Sequence, residues 1–230
     1  MKRLLFDSGP VISLTTNGLL WLLSPLKDRF KGNFSITEAV HNELVARPLQ
    51  TRKFKFEALE VEELVETGVL ELLPSQPLRR RADSIMEMAN GSFEANGQHL
   101  NLLQRGEVET LAAAVLSNAD AVVCDERITR NMIEKPQVLE DLLSKRLHAR
   151  VRMHSRELSE FAGLAGKPVI IRSVELVTLA YEFGLLDRYK VKLPHAEREL
   201  LDSVLWGMKL HGCSVSENEI EDIVEMITGP

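Results

Sequence analysis

Leu4-Leu5-Phe6-Asp7-Ser8-Gly9-Pro10-Val11-Ile12-Ser13-Leu14 reads as an apolar run, an acid, a break and a second apolar run. Residues 4–6 have the length and type of a strand buried on both faces. Gly9-Pro10 interrupts the pattern, and from Val11 onward the chain reads as a helix. A strand ending in Asp7 and followed at once by a helix places a carboxylate at the carboxyl end of a sheet. Ligands of open α/β sheets bind along that edge. Asp7 is therefore the first candidate in a group of carboxylates holding a divalent metal ion.

The same pattern recurs at Asp120-Ala121-Val122-Val123-Cys124-Asp125, a strand that again ends in an acid. Before it, Gly106 to Leu116 is rich in alanine and leucine with acids in its first turn, which predicts a helix. Phe34 to Thr37 leads into a helix capped by Thr37, striped by Ala39, Val40, Leu44 and Val45, carrying Glu43 and closed by Pro48. Phe56 to Thr67 reads as a helix and Val69 to Leu73 as a strand closed by Pro74. Residues 75–104 are expected to hold one helix and a mobile loop. A helix over Gln137 to Leu147, a strand over Ala149 to Met153 and a short helix capped by Ser155 follow. Lys167 to Ile171 reads as the last strand, and Ser173 caps a helix ending at Gly184. Two more helices close the chain, one after Pro194 and one opened by a capping box, Ser216 to Glu219. Strands alternating with helices imply a mostly parallel sheet covered on both faces.

The chain has 230 residues, enough for one large domain or for a medium domain with an appendage. Acids outnumber bases 34 to 28, a formal net charge of −6, so bulk electrostatics argue mildly against a nucleic-acid partner. Basic residues do gather at Arg47, Arg52, Lys53 and Lys55 and at Arg79-Arg80-Arg81; a solvated face explains them as well as phosphate contacts do. Cys124 and Cys213 form no CxxC pair and no disulfide framework, which suits a reducing cytoplasm. No apolar run is long enough to span a membrane. The histidines lack zinc spacing, and GxGxxG, GxxxxGK[ST] and GxSxG are all missing.

Four acids stand out by position. Asp7 and Asp125 lie at strand ends, Glu107 at a helix start, and Glu43 on a helix that has to bring it in. Oxygen ligands of this kind suit Mg²⁺ or Mn²⁺, and a cation relieves the repulsion of packed like charges. Taken singly, each acid has a bland reading: a turn or N-cap for Asp7 and Asp125, a solvated helix residue for Glu43, a dipole partner for Glu107.

At this point the chain resembles the PIN-domain nucleases, especially the small stand-alone prokaryotic members that include VapC-like toxins. Residues 6–14 resemble the family's first motif, an Asp followed by Ser or Thr, and residues 36–44 the second, with its acid at Glu43. Arg105-Gly106-Glu107-Val108-Glu109 is similar to the "GE" form of the third, where Glu109 competes with Glu107 for the role. Residues 122–130 resemble the fourth, Asp125 followed one turn on by Arg130. Glu107 stands where many members have Asp, Glu126 where a second Asp is common, and Ser173 where Thr is more usual.

The resemblance implies a three-layer α/β/α fold with a mostly parallel central sheet and a helical carboxyl-terminal extension. Residues 1–171 would form the nuclease domain, with an insertion at 131–166, and residues 172–230 the extension packed on it. It further implies a cytoplasmic, metal-dependent ribonuclease cleaving single-stranded RNA. Asp7, Glu43, Glu107 and Asp125 would hold Mg²⁺ or Mn²⁺. Ser8 would steady Asp7 or a metal-bound water, or contact the substrate, and Arg130 would pair with a site carboxylate or contact the substrate. A toxin role, an antitoxin-like partner and a homodimer go with the same resemblance. The rival expectation is a catalytically weak PIN-like module that binds RNA or protein.

Overall fold

In β1 (Arg3–Phe6), Leu4 and Phe6 enter one hydrophobic core and Leu5 enters another, the alternation of a strand covered on both faces. The computed structural model describes residues 2–229. Seven further strands follow: β2 (Asn33–Thr37), β3 (Leu70–Leu73), β4 (Phe93–Ala95), β5 (Gln98–His99), β6 (Ala121–Val123), β7 (Val151–Met153) and β8 (Val169–Ile171). Strands β3-β2-β1-β6-β8, in that order, form one parallel sheet, and β5-β4-β7 form a small antiparallel one.

The helices are α1 (Ser8–Thr16), α2 (Leu23–Phe30), α3 (Glu38–His41), α4 (Arg47–Leu49), α5 (Lys55–Glu66), α6 (Arg79–Gly91), α7 (Arg105–Ser117), α8 (Arg127–Glu134), α9 (Pro136–Leu147), α10 (Ser155–Ala165), α11 (Ser173–Glu182), α12 (Ala196–Leu210) and α13 (Glu217–Thr228). One face of the large sheet is covered by Leu14 of α1, Leu23 of α2, Val177 of α11, Leu205 of α12 and Val224 of α13. The other is covered by Ile85 of α6, Leu111 of α7, Leu143 of α9 and Phe161 of α10. The result is the expected α/β/α arrangement with a mostly parallel sheet. The three closing helices share a core with Leu4 and Phe6. At Gly207, on α12, a Cβ would press on Asn17 Oδ1 just beyond α1, so a larger residue there requires that side chain to shift.

Several local expectations change. Residues 75–104 hold a hairpin as well as the helix α6: β4 and β5 turn at Asn96-Gly97, with φ of 51° and 78°. Asn-Gly is the commonest signal for such a turn, but the strands are too short to show period-two alternation. Burial of Phe93 and Val151 in the α6 core draws β4 against β7. Pro48 lies inside the helical run: Asn42–Ala46 is a π-helical stretch that continues into α4, placed just before the residue that removes a donor. Ser155 and Ser173 are the first residues of α10 and α11, with no capping bond from the side chain; Ser173 is used elsewhere. Among the described residues no helix is long and apolar enough to cross a membrane.

Candidate active site

Asp7 leaves β1 with its backbone N–H bonded to the Val123 carbonyl at 3.0 Å. Strand pairing thus runs one residue past β1 and pins the carboxylate at the carboxyl edge of the sheet. The side chain is only 4% exposed. The Cys124 thiol donates to its Oδ2 at 3.7 Å and the Ser8 backbone N–H also donates to it. Its Oδ1 is buried without a hydrogen-bond partner. Burial first, then the nearby charges of Glu107 and Glu43, push the Asp7 carboxyl from its ordinary 3.8 up to about 7. Cys124, held well above its usual range by the same burial, stays a thiol and therefore a donor.

Glu43 sits in the π-helical stretch and lies against the first turn of α7. A Cβ at Gly106 would stand 2.9 and 3.2 Å from its two carboxylate oxygens. That clearance is a physical reason for glycine beside Glu107. Glu107 is the third residue of α7, with Oε2 accepting from the Gln104 backbone N–H and Oε1 from the Thr129 hydroxyl, both at 2.6 Å. Burial raises its carboxyl, the charges of Glu126 and Glu43 add to the rise, and the two hydrogen bonds oppose it. All three acids lie near the amino-terminal end of α7, whose partial positive charge favours anions.

Asp125 is held differently. It is 2% exposed, with Oδ1 accepting from the Ser173 backbone N–H at 2.7 Å and Oδ2 from the hydroxyls of Ser173 at 2.7 Å and Ser13 at 3.0 Å. Its own carbonyl accepts from the Ser214 N–H at 3.1 Å. Asp125 therefore ties β6 to α1, α11 and the segment before α13. Asp7, Glu43 and Glu107 form the group that shares charge, while Asp125 is turned to these serines. Among the described residues, no three His, Cys, Asp or Glu side chains are gathered closely enough to hold one ion as they stand.

The donor set still suits a hard divalent cation: carboxylates only, mutually repelling, with one buried Asp7 oxygen unpartnered. The two glutamates of α7 are placed differently. Glu109 is buried and accepts from Arg105 Nε and Ser75 Oγ, each at 2.5 Å, whereas Glu107 is the one whose charge Asp7 feels. Ser8 meets Asp7 through its backbone N–H. Arg130 reaches the Ser214 carbonyl at 3.4 Å, beside Arg127, which bonds the Ser214 hydroxyl at 3.0 Å. Of the Arg79-Arg80-Arg81 run, Arg81 donates to the Leu164 carbonyl at the end of α10.

Three residues around the site escape sequence reading, and a fourth, Ser173, reads there only as a helix cap and a family-motif position, not as a partner of Asp125. Cys124 reads as a small core residue and is also a donor to Asp7. Ser13 is a buried hydroxyl inside an otherwise apolar helix, and that contrast is the signal that could have exposed it. Thr129 and Ser173 stand within recognised segments, but their partners come from other parts of the chain.

A family model, DUF3368, described as a PIN domain, matches residues 3–138, more than half of the chain and all four candidate acids. This chain belongs to the PIN-domain family. The PIN-domain fold is of the nuclease type, and the matched span runs from β1 through α8 into α9. The strand β8 that completes the sheet, and Ser173 and Ser214, which bond Asp125, lie beyond it, whereas Ser13 of α1 lies within it. Comparisons with curated proteins and with solved structures find no significant match.

Proposed function

We propose that this PIN-domain protein is a metal-dependent ribonuclease that cleaves single-stranded RNA internally. The observation that carries the reading is the group of Asp7, Glu43 and Glu107 at the carboxyl edge of the sheet, with one Asp7 oxygen unpartnered and its ionisation suppressed by burial first and then by the charges of the other two acids. A divalent cation, Mg²⁺ or Mn²⁺, is to be held by these three with Asp125. Such an ion supplies Lewis-acid activation of a phosphodiester. The chain's own groups prepare the place for it. Thr129 and the Gln104 N–H fix Glu107, Cys124 and Ser8 fix Asp7, and Ser13 and Ser173 fix Asp125. The amino-terminal end of α7 favours a phosphate beside the acids.

The test is Mn²⁺-dependent cleavage of single-stranded RNA by the native chain and by Asp7→Asn. Cleavage by the first and not the second supports the reading, and equal cleavage by both removes it. A second reading, a catalytically weak module that binds RNA or protein, is favoured by the spacing of the carboxylates as they stand. No cleavage by either protein would favour that one. A toxin-like role in the cytoplasm, with an antitoxin-like partner and a dimeric state, is a further part of the proposal. Growth arrest on expression, relieved by Asp7→Asn, supports it, and harmless expression of folded protein counts against it.

A further inference from the structure

Beside Glu43 lies a small pocket of about 110 Å³, walled by Ile12, Leu44, Phe54 and Val61, with Glu43 and Glu57 also lining it. Ligand sites for whole small molecules run from about 300 Å³ upward, so this one suits a single flat ring system. Phe54 shapes it in an unusual way. The residue has φ of 61°, a left-handed backbone that bulky side chains rarely adopt and that gathers at functional positions. The residue is 47% exposed, and the Lys53 ammonium stands 4.7 Å from the ring centroid. Ile12, 44% exposed, adds a second apolar surface turned to solvent.

The surroundings select the occupant. Arg47, Arg52, Lys53 and Lys55 are exposed in the stretch that carries Phe54, and none has a carboxylate within 4.0 Å among the described residues. A cationic stretch with an aromatic ring at its centre, opening beside a carboxylate site, matches a polyanion that also presents flat faces. We propose that the Phe54 pocket is a nucleobase subsite, stacking one base of single-stranded RNA while the neighbouring backbone crosses the acids. Resting on the ribonuclease reading of the same site, this names the substrate feature that is gripped. Glu57 in the lining disfavours a phosphate inside the pocket, so the base enters and the phosphates stay at the rim. A base stacked within a duplex has no free face to offer.

The test is fluorescence anisotropy of an end-labelled single-stranded oligoribonucleotide without divalent cation, so that binding is read apart from cleavage. Phe54→Ala is expected to weaken binding about 5- to 140-fold, the range for losing one stacked base, and Phe54→Trp to restore it. Lys53→Ala should flatten the salt dependence by about 0.7 in the log–log slope. An oligonucleotide with 2-aminopurine at the stacked position should be quenched by the native chain and not by Phe54→Ala. Unchanged affinity in Phe54→Ala, equal loss for a duplex of the same sequence, or a change in oligomeric state in its place would each overturn the subsite. Phe54-dependent binding without cleavage would keep the subsite and remove the nuclease. Cleavage that ignores Phe54 would do the reverse.

Discussion

Replacing Asp7 by Asn probes the charge at the centre of the site without any need for a substrate. A carboxyl raised from 3.8 to about 7 on folding is about 4 kcal/mol harder to ionise in the native chain than in the unfolded one. Between those two values the native state holds the proton more tightly, so its stability falls as pH rises through that window. Below about pH 4 both states are protonated and the penalty is zero. Above about pH 7 it is complete. Asn escapes it at every pH, but its amide N–H groups meet a site where Asp7 Oδ1 has no partner, at about 1–3 kcal/mol. The stability of Asp7→Asn relative to the native chain should therefore shift by about 4 kcal/mol in its favour between about pH 4 and pH 8. Denaturant unfolding in chelator, followed by the fluorescence of Trp21 and Trp206, measures it. A difference that stays constant to within about 1 kcal/mol across that range would refute the account of a buried carboxylate crowded by Glu107 and Glu43.

Gly106→Ala adds a methyl group 2.9 Å from a Glu43 oxygen; because the far end of a side chain can move, melting temperature should change little while cleavage falls at least tenfold, and unchanged cleavage would show that the position of Glu43 does not matter. Glu109→Gln weakens the buried links to Arg105 and Ser75, so it should lose about 2 kcal/mol of stability and keep full cleavage per folded molecule, whereas Glu107→Gln should abolish cleavage. Leu205→Ala removes a fully buried side chain from the core shared by α12 and β1 and should cost about 2–5 kcal/mol in a single calorimetric transition; two separate transitions would show that the closing helices fold apart from the sheet.

Much of this architecture is written locally. Residues 4–6 and 121–123 are apolar on both faces and each run ends in an acid, which is enough to place two central parallel strands with carboxylates at their ends. The helix of Gly106 to Leu116 and the capping box at Ser216 follow from propensity and short-range hydrogen bonding, and they appear as expected. The hairpin at Asn96-Gly97 was the harder case. Its turn is local, but its strands owe their existence to β7, more than fifty residues on.

The sequence by itself determined most of the elements, their order and the candidate acids, because each of these rests on the properties of neighbouring residues. Only the tertiary structure decided what those acids do. It set Glu107 toward Asp7 and Glu109 toward Arg105, a difference of two positions on one helix. It turned Asp125 to the hydroxyls of Ser13 and Ser173, over a hundred residues away in one case and nearly fifty in the other. It placed Glu43 over Gly106 and left one oxygen of Asp7 buried and unpartnered. Burial, repulsion and the choice of hydrogen-bond partner depend on distances through space between remote segments, and those distances exist only once both faces of the sheet are packed.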